Sequence, residues 1–164
     1  MIVVSDTSTI TNLAAINHLA LLPSLYGQVI IPEAVYCEFV DINSPVPGTL
    51  EVQSVDWLEV RPVANRQVVE RLQNEVRLDA GESEAIALTL EIGAELLLID
   101  ERRGRAEADR LGLRITVLLG LLVEAKRKNL INAVKPLMDA LIETSEFRVS
   151  ATLYRLILDM VEET

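Results

Sequence analysis

Two aspartates stand where short apolar runs of strand length end. Asp6 directly follows residues 2–5, and Asp100 follows residues 96–99. Runs that are apolar throughout and separated by helical segments predict a parallel sheet covered on both faces. Right-handed crossovers bring the ends of such strands to one edge, where open α/β sheets bind their ligands. We therefore expect both carboxylates at that edge. The alternative for each is a helix N-cap, which the hydroxyl residues after Asp6 also fit.

Two glutamates are predicted on helices that approach the same edge. In the helix predicted over 80–92, Glu82 shares a stripe with small and apolar residues such as Ala85, whereas Glu84 falls on a more solvated stripe. We therefore expect Glu82 to face inward and Glu84 to face solvent. Glu38 lies on the packed side of an earlier predicted helix, and the alternative for it is an ordinary exposed glutamate.

The four acids expected at this edge are Asp6, Glu38, Glu82 and Asp100. Two carboxylates about 4 Å apart repel each other by about 4 kcal/mol at an effective dielectric constant near 20, so four share a site only with a cation or with protons. Oxygen ligands without histidine or cysteine select hard ions such as Mg²⁺ or Mn²⁺, which are the usual partners of phosphate groups. The only histidine, His18, excludes a site built from several histidines.

Two arginines follow the second strand end closely. Arg103 and Arg105 lie on the helix predicted over 102–111, where planar guanidinium groups can bind the phosphates of a nucleic-acid backbone. The alternative is a solvated helix face on which they pair with Glu107 and Asp109.

The elements that position these residues alternate along the chain. The remaining predicted strands are 29–31, 57–60 and 114–117. The predicted helices are 7–16, 33–40, 65–76, 80–92, 102–111, 118–128, 133–143 and 151–162. This order predicts the α/β class, with a three-layer α/β/α sandwich around a central parallel sheet over about 1–117 and C-terminal helices over about 118–164.

The charge balance is acidic throughout much of the chain. The 164 residues carry 15 Lys and Arg against 25 Asp and Glu, a net charge of −10, and no Lys or Arg precedes Arg61. This excludes a tight, passive nucleic-acid binder with a broad basic face. Contact with nucleic acid is therefore expected to be local or to involve a bridging cation.

Composition also limits the class and the compartment. Half of the residues are hydrophobic, which excludes a disordered chain, and the single Cys37 excludes a disulfide framework and fits a reducing cytosol. Met1 is followed by no basic segment of a secretory signal, and the uncharged stretch 7–32 is interrupted by polar residues. We therefore expect a cytoplasmic protein without a membrane span.

Four segments, in order along most of the chain, carry a family resemblance. They are Val4-Ser5-Asp6-Thr7-Ser8, Ile31-Pro32-Glu33-Ala34-Val35-Tyr36-Cys37-Glu38, Leu78-Asp79-Ala80-Gly81-Glu82-Ser83-Glu84-Ala85-Ile86-Ala87-Leu88 and Leu98-Ile99-Asp100-Glu101-Arg102-Arg103-Gly104-Arg105. The chain resembles a PIN domain, the nuclease fold of VapC-type toxins, and more closely a mostly uncharacterised family of prokaryotic PIN-like proteins. The specific part is the Gly-Glu helix followed by the Ile-Asp-Glu strand end.

The resemblance implies a single PIN-like domain over 1–164 that hydrolyses phosphodiester bonds, usually in RNA, with Mg²⁺ or Mn²⁺. The expected products are a 5′-phosphate and a 3′-hydroxyl. The acidic set of the family falls on Asp6, Glu38, Glu82 and Asp100, and the metal is expected on Asp6, Glu82 and Asp100. The residues expected to bind the substrate are Thr7, Ser8, Arg103 and Arg105. By this resemblance we expect the protein to be a toxin ribonuclease of a type II toxin–antitoxin pair, with a small antitoxin protein as partner.

Two alternatives stay open at this level. Glu101 is adjacent to Asp100, and we favour Asp100 as the last ligand because it continues the strand, whereas the next residue points to the other side. The second alternative is a catalytically inactive PIN-like module that binds nucleic acid or protein and keeps its acids only as helix caps.

The last two predicted helices carry apolar stripes. They comprise Val134, Leu137, Met138 and Leu141, then Leu153, Leu156, Ile157 and Met160. We expect these stripes in the core. Their abundance on so small a sheet also suggests a homodimer face or a groove for an antitoxin-like peptide.

Overall fold

Five short parallel strands form the centre of the fold. The computed structural model describes residues 1–163, and its strands are β1 (Val3–Ser5), β2 (Val29–Pro32), β3 (Leu58–Arg61), β4 (Leu96–Leu98) and β5 (Ile115–Thr116). The sheet order is β3-β2-β1-β4-β5, and each neighbouring pair is parallel. All residues of β1, β2 and β4 are buried, as is typical of strands covered on both faces. The predicted α/β class and parallel sheet are confirmed.

Helices connect the strands and follow the last one. They are α1 (Thr7–Ala15), α2 (Leu21–Tyr26), α3 (Glu33–Val40), α4 (Thr49–Ser54), α5 (Arg66–Asn74), α6 (Ala80–Ile92), α7 (Arg102–Arg110), α8 (Leu118–Arg127), α9 (Lys135–Thr144) and α10 (Ala151–Met160). The sequence pattern predicts neither α2 nor α4. Each has six residues, too few for the helical period to show.

Local capping explains where the helices around the site begin and end. The N–H of Thr9 donates to Asp6 at the start of α1, and the N–H of Glu82 donates to Asp79 at the start of α6. Gly93 ends α6 with φ of 63°, a left-handed conformation that glycine adopts without a side-chain clash. The predicted bounds of α6 are therefore confirmed.

Two hydrophobic clusters cover the two faces of the sheet. Successive residues of a strand point to opposite faces, so Val3 belongs to one cluster and Val4 to the other. The cluster around Val3 includes residues of α1 and of the C-terminal helices, such as Leu122 and Met138. The cluster around Val4 includes residues of α5 and α6. These two layers around the sheet confirm the predicted sandwich.

The predicted apolar stripes of the last two helices differ in burial. Their four members on or next to α9 are buried, as predicted. On α10, Ile157 is buried, but Leu153, Leu156 and Met160 are 38%, 53% and 47% exposed. The prediction that the α10 stripe is core is wrong for these three residues, because α10 is the last helix and no described element covers that face. Within residues 1–163, the helices are too short or too polar for a membrane span.

The sheet order places two distant segments side by side. Strands β1 and β4 are neighbours, and the chain continues outward from β1 to β2 and β3 on one side and from β4 to β5 on the other. The point where the winding direction changes leaves a crevice beyond the strand ends, which is the usual ligand site of such sheets. Asp6 and Asp100 follow these two strands, and the N–H of Asp6 donates to the carbonyl of Leu98 (2.9 Å).

Candidate active site

Asp6 is a buried carboxylate held in one orientation. Its Oδ1 accepts from the N–H of Thr9 (3.1 Å), and its Oδ2 accepts from the Ser8 hydroxyl (3.0 Å) and from the N–H of Asp100 (3.3 Å). Burial raises the pKa of Asp6 to about 6, although these hydrogen bonds favour the charged form. Asp6 is therefore both a helix cap and a poorly hydrated acid at the crevice.

A cavity of about 280 Å³ brings acids from four elements together. Its acidic lining comprises Asp6, Glu38, Asp79, Glu82 and Glu101. Three of the four acids predicted for this edge are thus in one cavity. We call it the acidic cavity.

The carboxylates of the acidic cavity oppose one another's ionisation. Burial raises the pKa of Glu82 to about 8, and the adjacent Asp79, Glu101 and Asp6 contribute to the same shift. Burial also raises the pKa of Glu38, with a further contribution from Asp79. Since anions raise one another's pKa, the cavity favours bound protons or a bound cation over a set of bare carboxylates.

Asp100 occupies the neighbouring side of the crevice. Its Oδ1 accepts from the N–H of Leu118 (2.9 Å) at the start of α8, and its side chain lines a second cavity next to Ser8. Glu101, in contrast, lines the acidic cavity beside Glu82. Regular strand geometry ends at Leu98, so the alternation that favours Asp100 does not extend to these two residues.

Glu84 corrects the orientation predicted for α6. It is 7% exposed, whereas Glu82 is only partly buried. Its carboxylate accepts from the N–H of Ala34 (3.0 Å) and from Nη1 of Arg66 (2.9 Å). The prediction that Glu84 faces solvent is wrong because helices α3 and α5 both pack on α6 and cover the face on which it lies. Glu84 thereby fixes the start of α3, the helix that carries Glu38, against α6.

Two glycines leave room for the glutamates. A Cβ atom at Gly81 would lie 3.1 Å from Oε1 of Glu38, and a Cβ atom at Gly104 would contact Glu82. Sequence reasoning did not single out either glycine for such a role. The only available signal was that Gly81 lies at the start of a helix and Gly104 within one, where glycine is unfavourable.

Arginines line two cavities that adjoin the acidic cavity. Arg77, Arg102 and Arg103 line a cavity of about 500 Å³ that shares Glu82 and Glu101 with it. Arg105 lines the second cavity, which shares Ser8 and Glu101 with it. Among residues 1–163, neither Arg103 nor Arg105 forms an ion pair with Glu107 or Asp109, which was the alternative for these two arginines.

Glu107 pairs instead with two other arginines. Its Oε1 lies 2.6 Å from Nη2 of Arg110 and 3.2 Å from Nη2 of Arg71. These arginines hold the pKa of the Glu107 carboxyl below its ordinary value, against the effect of burial. The guanidinium groups of Arg103 and Arg105 are left available to other anions.

The carboxylate groups of the acidic cavity match a hard divalent ion in ligand type and in charge. The acidic cavity presents carboxylate oxygens from Asp6, Glu38 and Glu82, and their mutual repulsion is the kind that such an ion relieves. Within the part of the chain that the structure describes, no group of three or more His, Cys, Asp or Glu side chains stands in position to hold a metal ion.

Comparison with protein families gives one result for almost the whole chain. A family model described as DUF3368, PIN domain, matches residues 2–163. No curated protein matches the sequence. The matched range includes all five strands and every acid of the acidic cavity.

Proposed function

The chain belongs to the DUF3368 family of PIN domains, and on this premise we propose that it is a metal-dependent endoribonuclease that uses Mg²⁺ or Mn²⁺. PIN domains are of nuclease type, interact with nucleic acid and generally use divalent metals. The observation that carries the proposal for this chain is the crowding of Asp6, Glu38 and Glu82 in one cavity at the switch point of the sheet.

The residues proposed to hold the ion are Asp6, Glu82 and Asp100. A bound divalent ion supplies an acidified water and neutralises charge on the phosphate. Asp6 is suited to this role because its three hydrogen bonds hold the carboxylate in one place. The raised pKa of Glu38 suits it to accept the proton of the attacking water. Attack at phosphorus would break the bond to the 3′ oxygen, which takes a proton from solvent water, and this leaves a 5′-phosphate and a 3′-hydroxyl.

The groups proposed to bind the RNA surround these acids. Thr7 and Ser8 line the acidic cavity, next to Asp6. Arg103 and Arg105 line two cavities that share residues with the acidic cavity, and they can neutralise backbone phosphates. This local supply of positive charge suits a chain whose net charge of −10 repels nucleic acid.

We further propose that the protein is the toxin of a type II toxin–antitoxin pair. Its partners would be a small antitoxin protein and a second copy of the chain. The exposed apolar residues Leu153, Leu156 and Met160 of α10 support a surface of this kind.

The test is cleavage of RNA by the purified protein. Wild type should cleave with Mn²⁺ and lose activity in EDTA, and Asp6→Asn should lower the rate by at least about a hundredfold because it removes a fixed anionic ligand. Asp56→Asn, at an exposed position outside the acidic cavity, is the matched control and should retain activity. Cleavage that survives EDTA, or equal rates for the two variants, would contradict the proposal.

A second candidate is an inactive PIN-like module that binds nucleic acid or protein. It is favoured by the role of Asp6 as cap of α1 and by the lack of a preformed metal-ligand group among residues 1–163. The two candidates differ in their response to Mn²⁺. An ion at 100 times its Kd stabilises the fold by about 2.7 kcal/mol, so the nuclease predicts a higher Tm in wild type and little change in Asp6→Asn.

A further inference from the structure

A second cavity, of about 380 Å³, lies beside the acidic cavity and shares Ser8 and Glu101 with it. Its walls come from α1, the end of β4, α7, the segment that follows β5, and the linker over residues 145–150 between α9 and α10. The linker is far from the acids in sequence, yet it reaches the same edge of the sheet. We call this space the linker cavity.

Two arginines line the linker cavity from different elements, Arg105 on α7 and Arg148 in the linker. In the described part of the chain, neither takes part in an ion pair. Nε of Arg105 and the hydroxyl of Ser145, which belong to two residues of the lining, have no hydrogen-bond partner within the protein. Because an unpaired donor away from bulk water is unfavourable, a small rotation of these side chains toward the cavity would let a ligand supply the acceptor.

An apolar wall stands next to these donors. Phe147 is partly buried against the core and lines the linker cavity together with Leu153. An aromatic ring can stack on a nucleobase, and guanidinium groups bind phosphate in a forked geometry. The volume is near the lower end of the range of about 300–1,000 Å³ for small-molecule sites, which suits one nucleotide unit.

We propose that the linker cavity binds the nucleotide next to the scissile phosphate of a single-stranded RNA. Arg105 and Arg148 take its phosphate, and Phe147 stacks on its base. The shared lining by Ser8 places this nucleotide beside the acidic cavity. The inference rests on the proposed function, because it assigns a subsite for the same RNA.

The surroundings of the linker cavity explain why a base contact is needed. Asp100, Glu101 and Glu146 line the same space, and the whole chain is acidic. A ligand that offers negative charge alone is opposed by these carboxylates. A nucleotide combines one phosphate for the arginines with a flat, uncharged base for Phe147.

The experiment measures binding of a short fluorescein-labelled single-stranded RNA by fluorescence anisotropy in EDTA, so that no cleavage occurs. Arg148→Gln should weaken binding by about fivefold or more. Arg155→Gln removes the same charge from an exposed position of α10 outside the linker cavity, and it should weaken binding by about twofold or less. Phe147→Leu should weaken binding by about fivefold or more, and Phe147→Tyr, which keeps the ring, should bind within about twofold of wild type.

The outcomes separate this inference from the proposed function. Equal losses for Arg148→Gln and Arg155→Gln would show that only overall charge matters and would overturn it. If Phe147→Leu does not fold, the inference is still tested by Phe147→Tyr and by the comparison of Arg148→Gln with Arg155→Gln. A protein that binds RNA with this pattern but does not cleave it would contradict the nuclease proposal and leave the linker cavity assigned.

Discussion

The carboxylate of Glu82 lies so close to Gly104 that it leaves no room for a side chain at that position. A Cβ atom at Gly104 would stand 2.9 Å from Oε2 of Glu82 and 2.6 Å from Cδ1 of Ile99. Glycine within a helix costs about 0.5–1 kcal/mol relative to alanine, and Gly104 is the third residue of α7. The close approach of α7 to the acidic cavity accounts for a glycine at this position.

Gly104→Ala is therefore expected to displace the Glu82 carboxylate and to lower the rate of RNA cleavage by about tenfold or more, since small misplacements of catalytic groups are costly. Gly120→Ala is the matched control, because the nearest atoms to its Cβ lie 3.8 Å away. It should retain activity and gain up to about 1 kcal/mol of stability. Equal activity of the two variants would contradict the positioning role of Gly104.

Asp100 and Glu101 can be separated by two isosteric variants. We predict that Asp100→Asn removes most of the Mn²⁺-induced rise in Tm, whereas Glu101→Gln lowers it only in part. The Asn side chain can still accept from the N–H of Leu118, so α8 keeps this contact. Thermal unfolding at increasing Mn²⁺ measures both variants. The reverse order would assign the third ligand to Glu101, which lines the acidic cavity together with Glu82.

The raised pKa values of Asp6 and Glu82 predict a pH-dependent stability without metal. Their ordinary values are 3.8 and 4.5, and in the fold they rise to about 6 and about 8. A folded state that holds protons more tightly than the unfolded state is most stable below the unfolded pKa values and loses that contribution as pH rises through the folded ones. The Tm in EDTA should therefore fall between about pH 5 and pH 9.

Glu82→Gln is the variant that checks this assignment. It removes the titration near pH 8, so its Tm should fall less than that of wild type above about pH 6. The carboxyls with lowered pKa values, such as Glu107 and Glu163, titrate below this window and do not compensate. Parallel curves for the variant and wild type would exclude Glu82 as the source.

Glu84 and Arg66 form one ion pair, but the contacts of Glu84 predict that its loss lowers the free energy of unfolding more than the loss of Arg66 does. Glu84→Ala leaves the N–H of Ala34 without an acceptor and should destabilise the protein by about 2–3 kcal/mol. Arg66→Ala should cost less than about 1 kcal/mol, because the Arg66 side chain is 54% exposed. Urea unfolding gives both free energies. Similar losses would show that the ion pair, rather than the bond to α3, supports the fold.

Features that depend on neighbouring residues could be predicted from the sequence. Helix α6 begins after the cap Asp79 and ends before Gly93, and helix α3 begins at Glu33 and ends at Val40, in agreement with prediction. Features that depend on what packs against an element could not. Glu84 is buried only because α3 and α5 both lie on α6, and Leu153 is exposed only because no described element covers that side of α10.

The sequence by itself determined that Asp6 ends a buried strand at the ligand-binding edge, because an apolar run and the handedness of crossovers are sufficient for that inference. The order of the strands brings β1 and β4 together, and only the tertiary structure decided which acids then share a cavity. Glu38, Glu82 and Glu101 come from separate segments, and their encounter with Asp6 depends on long-range packing and on the space left at Gly104. No local pattern of residues encodes such distances.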